Sequence, residues 1–302
     1  MSILEAVILV IVVLSIRNAT AWTTPYSSAP LSRKTPAKHL FSRILTNEGK
    51  IGSDVTTDAT STTNADEMRP HLVFPGGGIF FYWQAGAVTY LREQGYNLSE
   101  TIATGASAGA LTATLASTNV DFYKATELAL DMAGKAGVWD RKQGLQGIWG
   151  PMIKDWLDEL LPDDSLSLID NGRLTLLVTP VPTFGKTRVQ SFADRQELID
   201  CNMASVHLPW FLDGQLTTTF RNQVCIDGSF LASTSDYVGA PSPLKPKTLV
   251  LDYNRDPAYQ NRGMMDFVTA LSPEGIWGML EDGKKYAKYL EDQGAFDHFR
   301  KQ

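Results

Sequence analysis

"TIATGASAGALTATLAST", residues 101–118, reads as a short apolar strand, a tight turn of small residues and a helix rich in alanine and threonine. At its centre, GASAG (105–109) matches Gly-Xaa-Ser-Xaa-Gly. In a strand-turn-helix context, this pattern puts the serine on a sharp elbow, where small neighbours let the backbone bend and leave the Ser107 hydroxyl clear. The start of a helix also favours developing negative charge. Taken alone, Gly105, Ser107 and Gly109 read equally as a small-residue turn packed close to a sheet, so the surrounding motifs decide.

Upstream, "FPGGGIFFYWQAGA" (74–87) places Gly76, Gly77 and Gly78 at the end of another apolar strand, "HLVFP". Open α/β sheets collect ligands at the carboxyl ends of their strands. Glycine amides approach a tetrahedral oxyanion closely because no Cβ intervenes. A dinucleotide site is excluded, since its third glycine would fall on Phe81 and no acidic residue ends a following strand at the right distance. A phosphate-binding P-loop is excluded because no Gly-Lys-Ser/Thr follows.

The remaining pattern predicts helices over "YWQAGAVTYLREQG" and "DRQELIDCNMAS", the latter with Asp194 and Glu197 at capping-box spacing. "RLTLLVTPVP" and "TRVQSF" read as strands around a turn, and "QVCID" and "KTLVLDY" complete the strands. Strands alternating with helices from the start imply an α/β layer fold with a largely parallel sheet.

A nucleophilic serine needs a base. The chain has four histidines, His39, His71, His207 and His298, and each reads as an ordinary core or surface residue. Asp227 in "CIDGS" ends a β-branched strand and precedes Gly228. Asp-Gly is most often a turn, yet a strand-end carboxylate in the same sheet is placed to meet the elbow serine without an imidazole between them. Two rivals stand beside this reading. One is a Ser-His-Asp esterase built on Ser107, Asp252 and His298; the other is a non-catalytic lipid-surface or regulatory protein on the same fold.

The glycine-rich strand end, the elbow and the late Asp-Gly resemble the patatin-like phospholipase family, serine acyl hydrolases that use a Ser-Asp dyad. "GASAGALTAT" and "RVQSFADRQELIDCNMASVHLPWFLDG" look most similar to its adipose triglyceride lipase and adiponutrin branch. The resemblance implies a three-layer fold with the elbow after an early strand. It makes Ser107 the nucleophile, Asp227 the base and the amides of Gly76, Gly77 and Gly78 the oxyanion hole, with Gly105, Gly109 and Gly228 as motif glycines. It also implies a glycerolipid substrate, triacylglycerol, phospholipid or galactolipid, met at a membrane or droplet surface, and no cofactor. Phe80 and Phe81 stand where the family continues its glycine run, and Ser229 stands where it has Gly or Ala.

A net charge of -6 argues against a nucleic-acid partner. Cys201 and Cys225 are too few for a disulfide framework and lack zinc spacing, so no metal is expected. Residues 1–21 read as a signal peptide: "ILEAVILVIVVLSI" is shorter than the roughly 20 residues a spanning helix needs, and "ATA" precedes Trp22; the n-region lacks Lys and Arg, so an uncleaved signal anchor is the alternative. Residues 22–53, with Arg33, Lys34, Lys38, Arg43 and Lys50 among many Ser and Thr, read as a transit segment. Together they resemble the bipartite plastid presequence of algae with complex plastids; the alternative is the endomembrane system or a lipid droplet. Residues 54–67 form a polar linker, leaving 68–302 as the acyl hydrolase domain.

"GLQGIWGPMIKDWLDELLP" (144–162) sets Trp149, Ile153, Trp156, Leu157 and Leu160 at helical spacing, and "LPWFL" adds Trp210 and Phe211. Such a stripe is a core face or a lipid-interface face. The same two readings apply to "GIWGMLEDGKKYAKYLEDQG", with Lys284, Lys285 and Lys288.

Overall fold

A computed structural model describes residues 69–170, 172–239, 248–260 and 266–301. The targeting segments 1–21 and 22–53 and the linker 54–67 lie outside the described residues.

The central sheet contains β1 (His71–Phe74), β2 (Ile102–Gly105), β3 (Leu174–Pro180), β4 (Thr187–Val189), β5 (Thr218–Phe220), β6 (Gln223–Ile226) and β7 (Thr248–Val250), in the order β5-β6-β3-β2-β1-β7 with β4 also on β3. From β7 through β1 and β2 to β3 the pairing is parallel. Of these, β1, β2 and β3 lie inside the sheet and are nearly continuous apolar or small-residue runs, as burial on both faces demands, while β7 is a half-buried edge. Beyond β3 the direction changes: β4 and β6 share its outer edge, and β5 pairs with β6, all antiparallel. The expected α/β fold with a largely parallel sheet holds, the parallel strands carrying the elbow and the antiparallel ones lying to one side. β4 follows β3, and β6 follows β5, through connections too short for a crossover of a dozen or more residues, so each of these pairs is antiparallel. Arg221 and Asn222, both at positive φ, form the two-residue turn between β5 and β6.

The helices are α1 (Phe81–Glu93), α2 (Ala108–Ser117), α3 (Phe122–Lys135), α4 (Trp149–Leu160), α5 (Ser165–Leu168), α6 (Arg195–Ser205), α7 (Thr234–Val238) and α8 (Pro273–Asp292). Leu72, Phe74, Ala103, Leu174 and Leu176 face the main core with α1, α2, α4 and α6. On the opposite face, Val73, Ala106 and Leu177 pack with Ala232 and Tyr237.

Local signals explain several element ends. Asp194 accepts the Glu197 amide at the start of α6, while the Glu197 carboxylate reaches back to the Ala193 amide. Gly95, at φ 77°, closes α1 with the amides of Gly95 and Tyr96 on the carbonyls of Arg92 and Leu91. α1 and α8 lie in backbone contact: a Cβ on Gly86 would sit 1.9 Å from the Leu280 carbonyl oxygen, and one on Gly283 would sit 1.9 Å from that of Trp83. The apolar face of α8, including Ile276, Met279 and Leu280, is buried. Among the described residues, no helix is long and apolar enough to cross a membrane.

Gly86→Val forces these two helices apart. We expect a loss of about 2–3 kcal/mol in urea unfolding, against a near-neutral effect at Gly278, where a Cβ meets nothing.

Candidate active site

Ser107 joins β2 to α2 with φ 54° and ψ -132°, a conformation a side-chain-bearing residue adopts only when its surroundings impose it. The surroundings do so by proximity. A Cβ on Gly105 would lie 2.0 Å from the carbonyl oxygen of Gly109, and one on Gly109 would lie 1.9 Å from that of Phe74. Both motif glycines thus let the elbow pass directly over the end of β1. The Ser107 amide donates to Ser205 Oγ at 2.9 Å, and Ser205 Oγ donates to the Leu177 carbonyl at 2.7 Å.

Asp227 follows β6. Ser107 Oγ donates to its Oδ2 at 2.6 Å. Oδ1 accepts both the Ser229 amide at 2.8 Å and the Ser229 hydroxyl at 2.6 Å. The main chain is equally held: the Asp227 amide donates to His207 O, the Gly228 amide to Ser205 O, and Thr179 Oγ1 to Asp227 O. A Cβ on Gly228 would meet the Leu177 carbonyl at 1.9 Å, which accounts for the glycine. Burial pushes the Asp227 carboxyl above the ordinary carboxylate range, while the hydrogen bonds from Ser107 and Ser229 pull it back. The result is a stronger base than a solvated aspartate.

Gly76, Gly77 and Gly78 follow β1 and line a cavity together with Ser107, Asp227 and Ser229. A Cβ on Gly76 would meet Ser229 at 2.6 Å and Ser107 Cβ at 3.1 Å; one on Gly77 would meet the Tyr253 ring at 2.7 Å. Gly78 holds φ 56°. Gln84, on α1, anchors this loop: its amide nitrogen donates to the carbonyls of Pro75 and Leu251, and its oxygen accepts from Thr112 on α2. Phe80 stacks on Tyr253, with ring centroids 3.8 Å apart, and meets Tyr259 edge-on. Phe81 packs edge-on against Trp156 and lies beside Phe122. Phe80 therefore backs the glycine loop, with its Cβ 3.3 Å from where a Cβ on Gly77 would stand, and Phe81 fills the core beside it.

The cavity, about 220 Å³, runs from these groups over Leu111 and along α4. Trp149, Ile153 and Trp156 form part of its wall, and Trp156 Nε1 is bonded to the Ala125 carbonyl. Phe211 meets Trp149 edge-on. Of the two readings of this stripe, the buried one holds for Ile153, Trp156 and Leu157.

The Ser107, Asp252 and His298 combination is not assembled. Asp252 accepts from the amide and side chain of Asn254, His298 lies against Phe299, and neither borders the cavity. His207 serves the site through its carbonyl; burial lowers the proton affinity of its ring. His71 lies under the sheet on Thr104, and His39 is outside the described residues. Reading the sequence missed Ser205, Ser229 and Gln84 as site residues. Ser205 lies within the block "CNMASVHLPWFLDG", whose character carried the resemblance, but no local pattern points to its partner.

Comparison with known proteins agrees with this geometry. The model of the patatin-like phospholipases matches residues 72–235, more than half of the chain. The chain belongs to the patatin-like phospholipase family. Its members include lipid acyl hydrolases and acyltransferases. Omega-hydroxyceramide transacylase of Homo sapiens is 29% identical over 174 residues, covering 55% of this chain and 31% of that protein. The 1-acylglycerol-3-phosphate O-acyltransferase Pnpla3 of Mus musculus is 29% identical over 170 residues, covering 54% of this chain and 40% of its own length. The match thus spans well under half of each relative. Among solved structures, VipD from Legionella pneumophila matches with a TM-score of 0.40 at 13% identity, covering 74% of this chain and 67% of that one.

Ser205→Ala removes the acceptor for the Ser107 amide. With a lost hydrogen bond worth about 1–3 kcal/mol when a buried partner is stranded, any Ser107-dependent turnover falls about 5- to 100-fold in kcat, with KM nearly unchanged.

Proposed function

We propose that this chain is a lipid acyl hydrolase that cleaves fatty acyl esters of glycerolipids through a Ser107-Asp227 dyad and an acyl-enzyme. The observation that carries the reading is the 2.6 Å hydrogen bond from Ser107 Oγ to Asp227 Oδ2, on a strained elbow opening into a largely apolar cavity.

The chemistry follows from the placement. Ser107 Oγ attacks the ester carbonyl carbon as its proton passes to Asp227 Oδ2. Negative charge then develops on the carbonyl oxygen beside Gly76, Gly77 and Gly78, whose bare backbone leaves room for it, and at the start of α2. Since the Ser107 amide is engaged by Ser205, oxyanion donation rests on the glycine loop and the helix start. The carbon–oxygen bond to the glycerolipid alcohol breaks, and Asp227 returns the proton to the leaving oxygen. A water molecule then gives its proton to Asp227 and attacks the acyl-enzyme; the fatty acid leaves as Ser107 regains a proton.

An apolar cavity fits the acyl chain. The relatives named as a transacylase and an acyltransferase support a second outcome from the same acyl-enzyme, delivery of the acyl group to an alcohol in place of water. The reading places the protein at a membrane or droplet surface. For residues 1–53 we propose delivery to the plastid of an alga with a complex plastid. A reporter carrying residues 1–67 is expected inside that plastid; retention in the endomembrane system or on droplets rejects this assignment.

Ser107→Ala and Asp227→Asn are each expected to lower acyl-ester cleavage by at least about 10³-fold on a panel of triacylglycerol, phospholipid and galactolipid. Labelling by a fluorophosphonate should vanish in Ser107→Ala and persist in His298→Ala. Near wild-type turnover in either dyad variant rejects the dyad, and products analysed with added alcohol separate hydrolysis from transfer.

A further inference from the structure

Asp227 is bonded by two serine hydroxyls, one at each carboxylate oxygen and each at 2.6 Å. Ser107 takes Oδ2. Ser229 takes Oδ1 twice over, through its amide and its hydroxyl. Both serines border the cavity. Gly76 leaves room for Ser229, because a Cβ at position 76 would sit 2.6 Å from both Cβ and Oγ of Ser229.

We propose that Ser229 is a positioning residue for the base: it saturates Oδ1, so that the proton leaving Ser107 is delivered to Oδ2 alone and the carboxylate stays ionised to lower pH. This rests on the dyad reading above for its catalytic meaning. The physical grounds are general. A carboxylate oxygen that already accepts two hydrogen bonds has little remaining capacity for a proton, and donors to the charged form favour that form. The Ser229 amide would remain with any residue at this position; the hydroxyl is particular to serine or threonine. An alanine or glycine there would leave Oδ1 with one donor in a buried site, where carboxylates gain protons readily.

The other groups facing Asp227 do not replace that donor. His207, on the connection from α6 to β5, has the proton affinity of its ring lowered by burial, and its charge is the weakest of the influences that favour the ionised carboxylate. Lys186, in the turn from β3 to β4, bonds the Phe230 carbonyl. Tyr237, on α7, is buried, and its hydroxyl is held well above its ordinary range chiefly by that burial. All three remain in place when Ser229 is truncated.

The consequence is a division of labour on one carboxylate. Burial alone would make Asp227 a strong base but one protonated, and therefore idle, over a wider acid range. The Ser229 hydroxyl trades some proton affinity for ionisation at lower pH.

The test uses the full chain. Carboxyl-¹³C aspartate is titrated by NMR in Ser107→Ala and in Ser107→Ala combined with Ser229→Ala, with the Asp227 signal assigned by its loss in Asp227→Asn. The second protein should titrate at a pH higher by about one unit, the scale of one lost hydrogen bond to a charged group. In proteins retaining Ser107, the acid limb of fluorophosphonate inactivation should move up by a similar amount in Ser229→Ala and Ser229→Gly, and return in Ser229→Thr. An unmoved Asp227 titration overturns the proposal. So does a loss that is larger for glycine than for alanine and follows the melting temperature, which marks mere packing. The NMR arm reads Asp227 whether or not an ester is cleaved, so failure of the hydrolase reading and failure of this one are separable.

Discussion

No side chain fits where the carbonyl of Phe74 meets Gly109, and the site depends on that contact. It brings α2 down onto the end of β1, so that the chain leaving β2 must turn within Ala106 and Ser107. The turn holds Ser107 in a conformation few residues adopt. Its hydroxyl is thereby set beside the loop that follows β1. Gly105 and Gly228 repeat the device against the carbonyls of Gly109 and Leu177. Nucleophile and base are each located by backbone packed on backbone, while the glycine loop is held by side chains, Gln84 from one side and Tyr253 from another. Ser205 joins two of these units, since its hydroxyl takes the Ser107 amide and its carbonyl the Gly228 amide.

Burial and hydrogen bonding act on Asp227 in opposite directions, and both are needed. Exclusion of water raises its affinity for a proton, whereas the donors around it keep the charged form accessible. The same apolar surroundings strengthen each interaction made with a developing oxyanion. Gln84 contributes at one remove: it satisfies the Pro75 and Leu251 carbonyls that would otherwise be stranded at the ends of β1 and β7, and links that loop to α2 through Thr112.

What could be read from the sequence was local in sequence. The strand before the glycines, the elbow and the strand before Asp227 each announce themselves within a few residues, because turn chemistry and hydrophobic period are short-range properties. Ser205 and Gln84 act through partners fixed only by the fold; Ser205 meets Leu177, and Gln84 meets Leu251, across long stretches of chain, whereas Ser229 bonds Asp227 only two residues away, in a turn of the kind an Asp-Gly pair signals. The strand β5 escaped for a related reason. Arg221-Asn222 makes a tight hairpin turn without the glycine that usually signals one. Of the two phenylalanines that follow the glycine loop, Phe80 backs it by stacking on Tyr253, while Phe81 packs edge-on against Trp156 and joins the cavity wall. Periodicity likewise gave α4 its apolar stripe without saying which neighbour it serves.

That stripe lines a cavity, and this alters what the protein can discriminate on the acyl-hydrolase reading. A methylene moved from lipid into water costs about 0.8 kcal/mol, so a free acyl chain is held in its aggregate chiefly by avoidance of water. Against Trp149, Ile153 and Trp156 the chain exchanges one oily medium for another at little net cost. Chain partition then contributes little selectivity between lipids. Choice falls to the few polar groups around the ester, where each misplaced contact is expensive, and to whatever headgroup the cavity mouth can admit.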